Sequence, residues 1–135
     1  IGACCTIDRA TIESTTIGWQ TKIDDQVHIA HNCQLGRFIY IAGQSGLAGS
    51  VVMEDGSMLS GNVAVKDHLR VSRGSIVLGG SGIAHDTEPG KIYFGLPARP
   101  ALRMHRMNLA LEKLPEMMTR FKKLVEKLDK TDSPA

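Results

Sequence analysis

The amino-acid sequence predicts an all-β fold, a left-handed parallel β-helix of hexapeptide repeats, followed by a C-terminal α-helical tail. Three observations lead to this prediction. Aliphatic residues recur every six positions through most of the chain. The composition, with 14 glycines and only 4% aromatic residues, suits sharp turns around a core of aliphatic side chains. Beyond the repeat, apolar residues change to a helical spacing.

The six-residue period is filled at twelve successive positions, a spacing that neither an α-helix nor a simple β-strand produces. Such repeats are typical of parallel β-helices, in which each short strand forms one side of a triangular coil and three hexads complete a turn of 18 residues. Adjacent coils stack at about 4.8 Å. The twelve residues are Ile17, Ile23, Ile29, Leu35, Ile41, Leu47, Met53, Leu59, Val65, Val71, Val77 and Ile83.

The same pattern sets the expected boundaries. We expect a β-helix over residues 1–88, a turn-rich linker over 89–100, a helical tail over 101–130 and a disordered end over 131–135. Ile7 precedes Ile17 by ten residues instead of six, so the stretch from Glu13 to Thr16 is predicted to be a loop inserted at a corner. A turn signal, Thr87-Glu88-Pro89-Gly90, ends the repeat.

The tail carries a heptad stripe, which predicts a helix with one apolar side. We expect this side to pack either on the chain's own β-helix or on neighbouring subunits, and Pro115 to kink the helix or to start a second one. The stripe consists of Met107, Leu111, Leu114, Met118, Phe121, Val125 and Leu128.

Composition and charge limit the functional classes. The chain is 42% hydrophobic and 22% charged, as in globular proteins, and we expect no membrane span. Its start lacks a signal-peptide pattern, and three cysteines without disulfide-framework or zinc spacing fit a cytoplasmic protein. Residues 99–135 hold 9 basic and 5 acidic groups, against 7 and 9 in residues 1–98. We therefore expect an acidic partner at the tail, and no nucleic acid.

The coil length also predicts a site. His31, Gly49 and His85 are separated by multiples of 18 residues and should form one column at a single corner, with His68 beside it, two coils from His31. An imidazole can take a proton from an amine or hydroxyl, and an amide N–H at a glycine can bind an oxyanion, as acyl transfer requires. Surface histidines are also common on repeat scaffolds, so geometry alone leaves both interpretations open.

Specific motifs resemble those of a known family. Ile29-Ala30-His31-Asn32, then Ala48-Gly49-Ser50 and His68, are similar to the UDP-3-O-acylglucosamine N-acyltransferases of lipid A biosynthesis, which are hexapeptide-repeat enzymes. The sibling O-acyltransferase shares the first motif more loosely. The similarity covers roughly residues 1–115. It continues through Thr6-Ile7-Asp8-Arg9, Lys22-Ile23-Asp24, Ile41-Ala42-Gly43-Gln44, Glu88-Pro89-Gly90 and Gly95-Leu96-Pro97-Ala98-Arg99-Pro100, of which the last two favour the N-acyltransferase.

The resemblance implies a homotrimer that transfers a 3-hydroxyacyl chain from acyl carrier protein to the 2-amine of UDP-3-O-acylglucosamine, without cofactor or metal. It implies His31 as general base, Asp24 as the residue that orients it, Gly49 as oxyanion donor and His68 as a second essential or binding histidine. Substrate contacts are expected from Asp25, His28, Asn32 and Met58, and acyl-carrier-protein contacts from Arg99, Arg103 and Arg106.

The chain also departs from the family pattern. The family usually has Asn at the position of Asp25, Gln at that of His28 and Trp at that of Met104, so contacts to the donor arm or the sugar are expected to differ. We also expect the chain to lack the family's N-terminal uridine-binding domain.

Three alternatives remain open at this point. The chain could be another hexapeptide acyltransferase, acting on a hydroxyl or using acetyl-CoA. It could be a truncated, non-catalytic trimeric scaffold. It could also be a zinc-dependent hydratase of the same fold, in which histidines from two subunits bind the metal. The available ligands are then His28, His31, His68 and His85.

Overall fold

The computed structural model describes the backbone of residues 1–131 and the side chains of residues 1–128. Very short strands follow one another along the chain before a single long helix. In chain order these elements are β1 (Thr6–Ile7), β2 (Thr16–Ile17), β3 (Lys22–Ile23), β4 (His28–Ile29), β5 (Gln34–Leu35), β6 (Tyr40–Ile41), β7 (Gly46–Leu47), β8 (Val52–Met53), β9 (Met58–Leu59), β10 (Ala64–Val65), β11 (Arg70–Val71), β12 (Ile76–Val77), β13 (Gly82–Ile83), β14 (Ile92–Phe94), β15 (Arg99–Pro100) and α1 (Ala101–Thr131).

The strands form three parallel sheets that are the faces of a triangular prism. Face A has the order β1-β4-β7-β10-β13, face B β11-β8-β5-β2, and face C β14-β12-β9-β6-β3, with β15 antiparallel at its end. Equivalent residues of successive coils pair at a spacing of 18, as in Ile29 with Leu47 and Leu47 with Val65. The predicted fold class, a left-handed parallel β-helix with a helical C-terminal tail, is confirmed.

The aliphatic residues of the six-residue period fill the prism. Every one of them from Ile23 to Ile83 is buried, whereas Ile17 is half-buried. Their outward neighbours in the same strands are mostly exposed or half-buried, because successive side chains of a strand point to opposite sides. At about 25 cal/mol per Å² of apolar surface removed from water, this column of side chains dominates the stability of the β-helix.

Two features interrupt the regular coil. Ile7 pairs with Ile29 across 22 residues, so the insertion predicted at Glu13 to Thr16 is present, and the resulting loop spans residues 8–15 between β1 and β2. At the other end, β14 pairs with β12 and places Tyr93 beside Val77, so the last coil extends into the segment predicted as a linker, residues 89–100.

Some inward positions are polar. Ser45 Oγ donates to the Ser60 carbonyl oxygen at 2.9 Å and accepts from the Val63 N–H at 3.2 Å. Ser57 Oγ is also buried, but it has no hydrogen-bond partner among the described residues. Cys33 is buried too, and this burial raises the pKa of its thiol.

The tail is one helix, α1, that begins directly after Pro100 and contains Pro115 without a break. The Pro115 carbonyl oxygen accepts a hydrogen bond from Thr119 Oγ1 at 3.0 Å, and Arg120 pairs with Glu116 at 3.1 Å. Within residues 1–131, no helix combines the length and apolarity that crossing a bilayer requires. The predicted disordered end lies outside the described residues, apart from Thr131, the last helical position.

Candidate active site

The corner that follows each strand of face A and leads to face B, here called the A–B corner, holds the predicted column. It comprises residues 30–32, 48–50, 66–68 and 84–86 of successive coils. The His31 carbonyl oxygen accepts from the Ser50 N–H at 2.9 Å, and the Gly49 carbonyl oxygen accepts from the His68 N–H at 3.0 Å. His31, Gly49 and His68 therefore follow one another along one edge, with His68 about 10 Å from His31 on the strand spacing.

The His31 imidazole lies directly against Gly49. A Cβ built on Gly49 would lie 2.6 Å from both Cε1 and Nε2 of His31 and 3.2 Å from its Nδ1. Since real side chains do not approach this closely, glycine at position 49 leaves the space that the imidazole occupies. His31 itself is exposed, so the ring is accessible from solvent.

The Gly49 amide is available to a ligand. Among residues 1–131 no group accepts a hydrogen bond from its N–H, and the same holds for the amides of His31 and Asp67 at this corner. At the other corners the equivalent amide is paired in some coils, as when the Arg37 N–H donates to Asp55 Oδ1 at 2.8 Å, and in other coils it has no acceptor among the described residues. The A–B corner thus combines an unpaired N–H with an imidazole beside it.

Asn32 fixes the orientation of the His31 ring. Its Oδ1 lies 3.0 Å from His31 Nδ1 and accepts from the Thr11 N–H at 3.2 Å, while its Nδ2 donates to the Ile12 carbonyl oxygen at 2.7 Å. The Thr11 donor and the Ile12 acceptor determine which end of the amide is oxygen. Because an amide oxygen can only accept, this contact favours the tautomer of the neutral ring with the proton on His31 Nδ1 and the lone pair on Nε2.

This arrangement can catalyse attack on a carbonyl group. The Nε2 lone pair can take a proton from an amine or hydroxyl nucleophile, and the Gly49 N–H can donate to the oxygen on which negative charge develops. A general base typically contributes 10²- to 10⁴-fold, and one oxyanion donor about 10²- to 10³-fold.

The two predicted aspartates lie at another corner, which follows face C and leads to face A. Asp24 Oδ2 accepts from the Gly43 N–H at 3.2 Å, and Asp25 Oδ1 accepts from the Ala3 N–H at 2.6 Å. Within the described chain, Asp24 has no hydrogen bond to His31. Its predicted orienting role therefore remains a prediction that requires a second chain, and Asn32 provides the contact within this one.

His28 and Met58 lie on the faces of the prism. His28 points outward from β4, with Nδ1 2.7 Å from Thr6 Oγ1 and Nε2 4.0 Å from Asp8 Oδ2. Met58 is 38% exposed on β9 of face C, paired with Ile76, so it does not join the A–B corner of its own chain. Their predicted substrate contacts remain predictions.

The three predicted carrier-protein arginines follow the β-helix. Arg99 is half-buried in β15, and Arg103 and Arg106 are exposed on α1, where a spacing of three places them on one side of the helix. Their predicted role likewise remains a prediction.

Two open grooves flank the A–B corner. The groove toward face B, of about 480 Å³, has a polar lining, and the one on face A, of about 380 Å³, has a mainly apolar lining. The polar groove is lined by Glu13, Ser14, Thr16, Asn32, Gln34 and Ser50. The apolar groove is lined by Ala64, Val65, Lys66, Gly82, Ile83, Ala84, Leu96 and Pro97.

No group of three or more His, Cys, Asp or Glu side chains within the described part of the chain could hold a metal ion. The zinc hydratase alternative, which takes its ligands from two chains, is not tested by this finding. Elemental analysis for zinc in the purified protein tests it.

The contribution of the loop at residues 8–15 was not predicted. Thr11, Ile12 and Thr15 bind Asn32 from this loop, yet only its insertion was expected. A signal was present in the sequence, because the insertion follows Ile7, which is in phase with Ile29 on face A. This phase places the loop at the A–B corner, one coil before His31.

The chain is similar in sequence to known acyltransferases. No protein-family profile matches the chain. A UDP-3-O-acylglucosamine N-acyltransferase from Methylobacterium sp. (strain 4-46) is 42% identical over 114 residues, which are 84% of this chain and 32% of the relative. The enzyme of the same name from Campylobacter lari (strain RM2100) is 37% identical over 97 residues, 72% of this chain and 30% of the relative. The chain is homologous to the UDP-3-O-acylglucosamine N-acyltransferases.

The fold is similar to that of solved acyltransferases that are named for a different acceptor. The solved UDP-N-acetylglucosamine acyltransferase of Francisella novicida superposes with a TM-score of 0.72 at 30% identity, covering 74% of this chain and 38% of that one. The resemblance predicted from the A–B corner motifs is thus confirmed. The chain spans about a third of the length of the N-acyltransferases it matches.

Proposed function

We propose that this chain carries the active site of an N-acyltransferase that moves a 3-hydroxyacyl chain from acyl carrier protein to the 2-amine of UDP-3-O-acylglucosamine. The observation that carries the proposal is the contact between the His31 imidazole and Gly49, which combines an oriented base with an unpaired amide N–H. Homology to proteins named for this reaction supports the choice of substrates.

The proposed step needs no further group. The acceptor amine attacks the thioester carbonyl carbon, a C–N bond forms, and His31 Nε2 takes a proton from the amine. The Gly49 N–H donates to the oxyanion of the tetrahedral intermediate. When the C–S bond breaks, the imidazolium returns its proton to the leaving sulfur, which gives an amide and a free thiol.

The two grooves fit the two substrates. An acyl chain is stabilised by removal from water, and the apolar groove on face A offers it a surface beside the corner. A sugar needs hydrogen-bonding groups, and the groove toward face B offers hydroxyls, amides and the Glu13 carboxylate. A reacting carbonyl at Gly49 would lie between them.

The remaining assignments extend this proposal beyond one chain. We propose that the homotrimer implied by the family brings Asp24 of one chain toward His31 of another, because the two residues lie at different corners of one prism. His68, which lies at the same corner as His31, is proposed to bind the substrate. The basic tail, with Arg103 and Arg106, is proposed to bind the acidic acyl carrier protein.

The test uses the purified chain with a panel of donors and acceptors, with products identified by mass spectrometry. The proposal predicts an amide product from 3-hydroxyacyl-carrier protein and UDP-3-O-acylglucosamine, and none from acetyl-CoA. Absence of that product at saturating substrates would contradict the proposal and favour the scaffold interpretation.

One second candidate has a specific observation in its favour. The similar structure from Francisella novicida is named a UDP-N-acetylglucosamine acyltransferase, so a different acceptor of the same nucleotide-sugar class is the nearest competitor. The same base and oxyanion donor would serve a hydroxyl nucleophile. An ester product from UDP-N-acetylglucosamine in the panel would identify this function instead.

A further inference from the structure

The inserted loop at residues 8–15 holds Asn32 at three points besides its contact with His31. The Thr11 N–H donates to Asn32 Oδ1, the Ile12 carbonyl oxygen accepts from Nδ2, and Thr15 Oγ1 accepts from the Asn32 backbone N–H at 3.0 Å. The Thr15 hydroxyl in turn donates to the Asp8 carbonyl oxygen at 2.8 Å. The hydroxyl therefore links one end of the loop to the backbone of Asn32.

Asn32 has the backbone conformation found at the equivalent position of most corners. It has φ of 61°, in the left-handed region, which asparagine tolerates better than most residues but which still carries strain. A backbone anchored by Thr15 and a side chain anchored by Thr11 and Ile12 leave one orientation for the amide. That orientation directs Oδ1 at His31 Nδ1.

We propose that the loop at residues 8–15 is a clamp that sets the tautomer of His31, with Thr15 as a positioning residue that acts through Asn32. An unrestrained neutral imidazole can carry its proton on either nitrogen, and the tautomer with the proton on Nε2 cannot act as a base at that atom. The clamp keeps the proton on Nδ1. Its effect on catalysis rests on the proposed function, whereas its effect on the tautomer does not.

The test reads the tautomer directly by ¹⁵N NMR of histidine-labelled protein, at a pH at which the imidazoles are neutral. The His31 signals are assigned by comparison with His31→Gln. We expect the wild-type His31 to be protonated on Nδ1, the Thr15→Val variant to show a mixture of tautomers, and Thr15→Ser, which keeps the hydroxyl, to match the wild type.

Thr6→Val is the matched control. The hydroxyl of Thr6 contacts a different histidine, His28. Replacing Thr6 should therefore change the NMR signals of His28 and leave those of His31 unaltered. If the chain turns over substrate, kcat of Thr15→Val should fall about 10- to 100-fold with little change in KM, since a small misplacement of a catalytic group has this effect.

Two results would overturn the clamp. One is that His31 of the wild-type protein carries its proton on Nε2. This measurement does not depend on whether any variant folds. The other is a folded Thr15→Val protein with the wild-type tautomer and kcat. A chain that shows the expected tautomers but no turnover would contradict the proposed function and leave the clamp supported.

Discussion

The imidazole of His31 lies too close to Gly49 for a side chain at position 49, because its Nε2 and Cε1 are each 2.6 Å from the point where a Cβ on Gly49 would lie. The base and the oxyanion donor of the proposed reaction are therefore in contact and come from adjacent coils.

Gly49→Ala tests this contact. The new methyl group must push the imidazole away from the corner, so we expect acyl transfer to fall by about 10²-fold or more while the β-helix stays folded. Gly46→Ala is the control, because Gly46 lies in β7, three residues before Gly49, and a Cβ there meets nothing within 4 Å. Steady-state kinetics of both variants, together with thermal unfolding, provide the comparison. Equal activity of the two would contradict the contact.

Ser57 and Ser45 allow a matched test of the buried polar groups. Ser57 Oγ lacks a partner among the described residues, so its removal in Ser57→Ala should leave the free energy of unfolding unchanged or raise it. Ser45→Ala loses two hydrogen bonds and should lower that free energy by about 1–2 kcal/mol. Urea unfolding of both variants measures the difference, and a larger loss in Ser57→Ala would contradict the assignment.

The carboxylate of Asp55 should make the stability of the fold depend on pH. Hydrogen bonds from the Arg37 backbone N–H and then from its guanidinium hold the pKa of Asp55 below its usual range. The folded state then binds protons less readily than the unfolded state, so this stabilisation is present above the ordinary aspartate pKa, about 3.9, and is lost as pH falls through the lowered value.

Asp55→Asn isolates this contribution. The difference in Tm between wild type and variant should be largest near pH 7 and should shrink as the pH is lowered from about 5 toward 2. Calorimetry across that range measures it. A difference that stays constant or grows on acidification would show that the carboxylate charge does not stabilise the fold.

Much of the fold could be predicted because one repeating physical requirement governs it. Each coil must bury aliphatic side chains against the next coil. The buried positions from Ile23 to Ile83 are therefore visible in the sequence as aliphatic residues at every sixth position. The same 18-residue register places Gly49 next to His31 before any coordinate is known.

The rest of the site depends on contacts that do not repeat from coil to coil. The loop at residues 8–15 departs from the repeat, so its hydrogen bonds to Asn32 could not be read from register. The predicted substrate contact of Asn32 stays a prediction, and its contacts with His31 and the loop were not predicted. Asp24 was assigned by resemblance, and resemblance does not state which chain of an assembly supplies a contact.

The most direct test of the central claim is single-turnover acyl transfer by His31→Ala compared with wild type, from 3-hydroxyacyl-carrier protein to UDP-3-O-acylglucosamine. The account predicts a fall in rate of about 10²- to 10⁴-fold, with an unchanged thermal unfolding profile, because the variant lacks the base but keeps the coil and the Gly49 amide. A His31→Ala protein that transfers the acyl chain at the wild-type rate would contradict it.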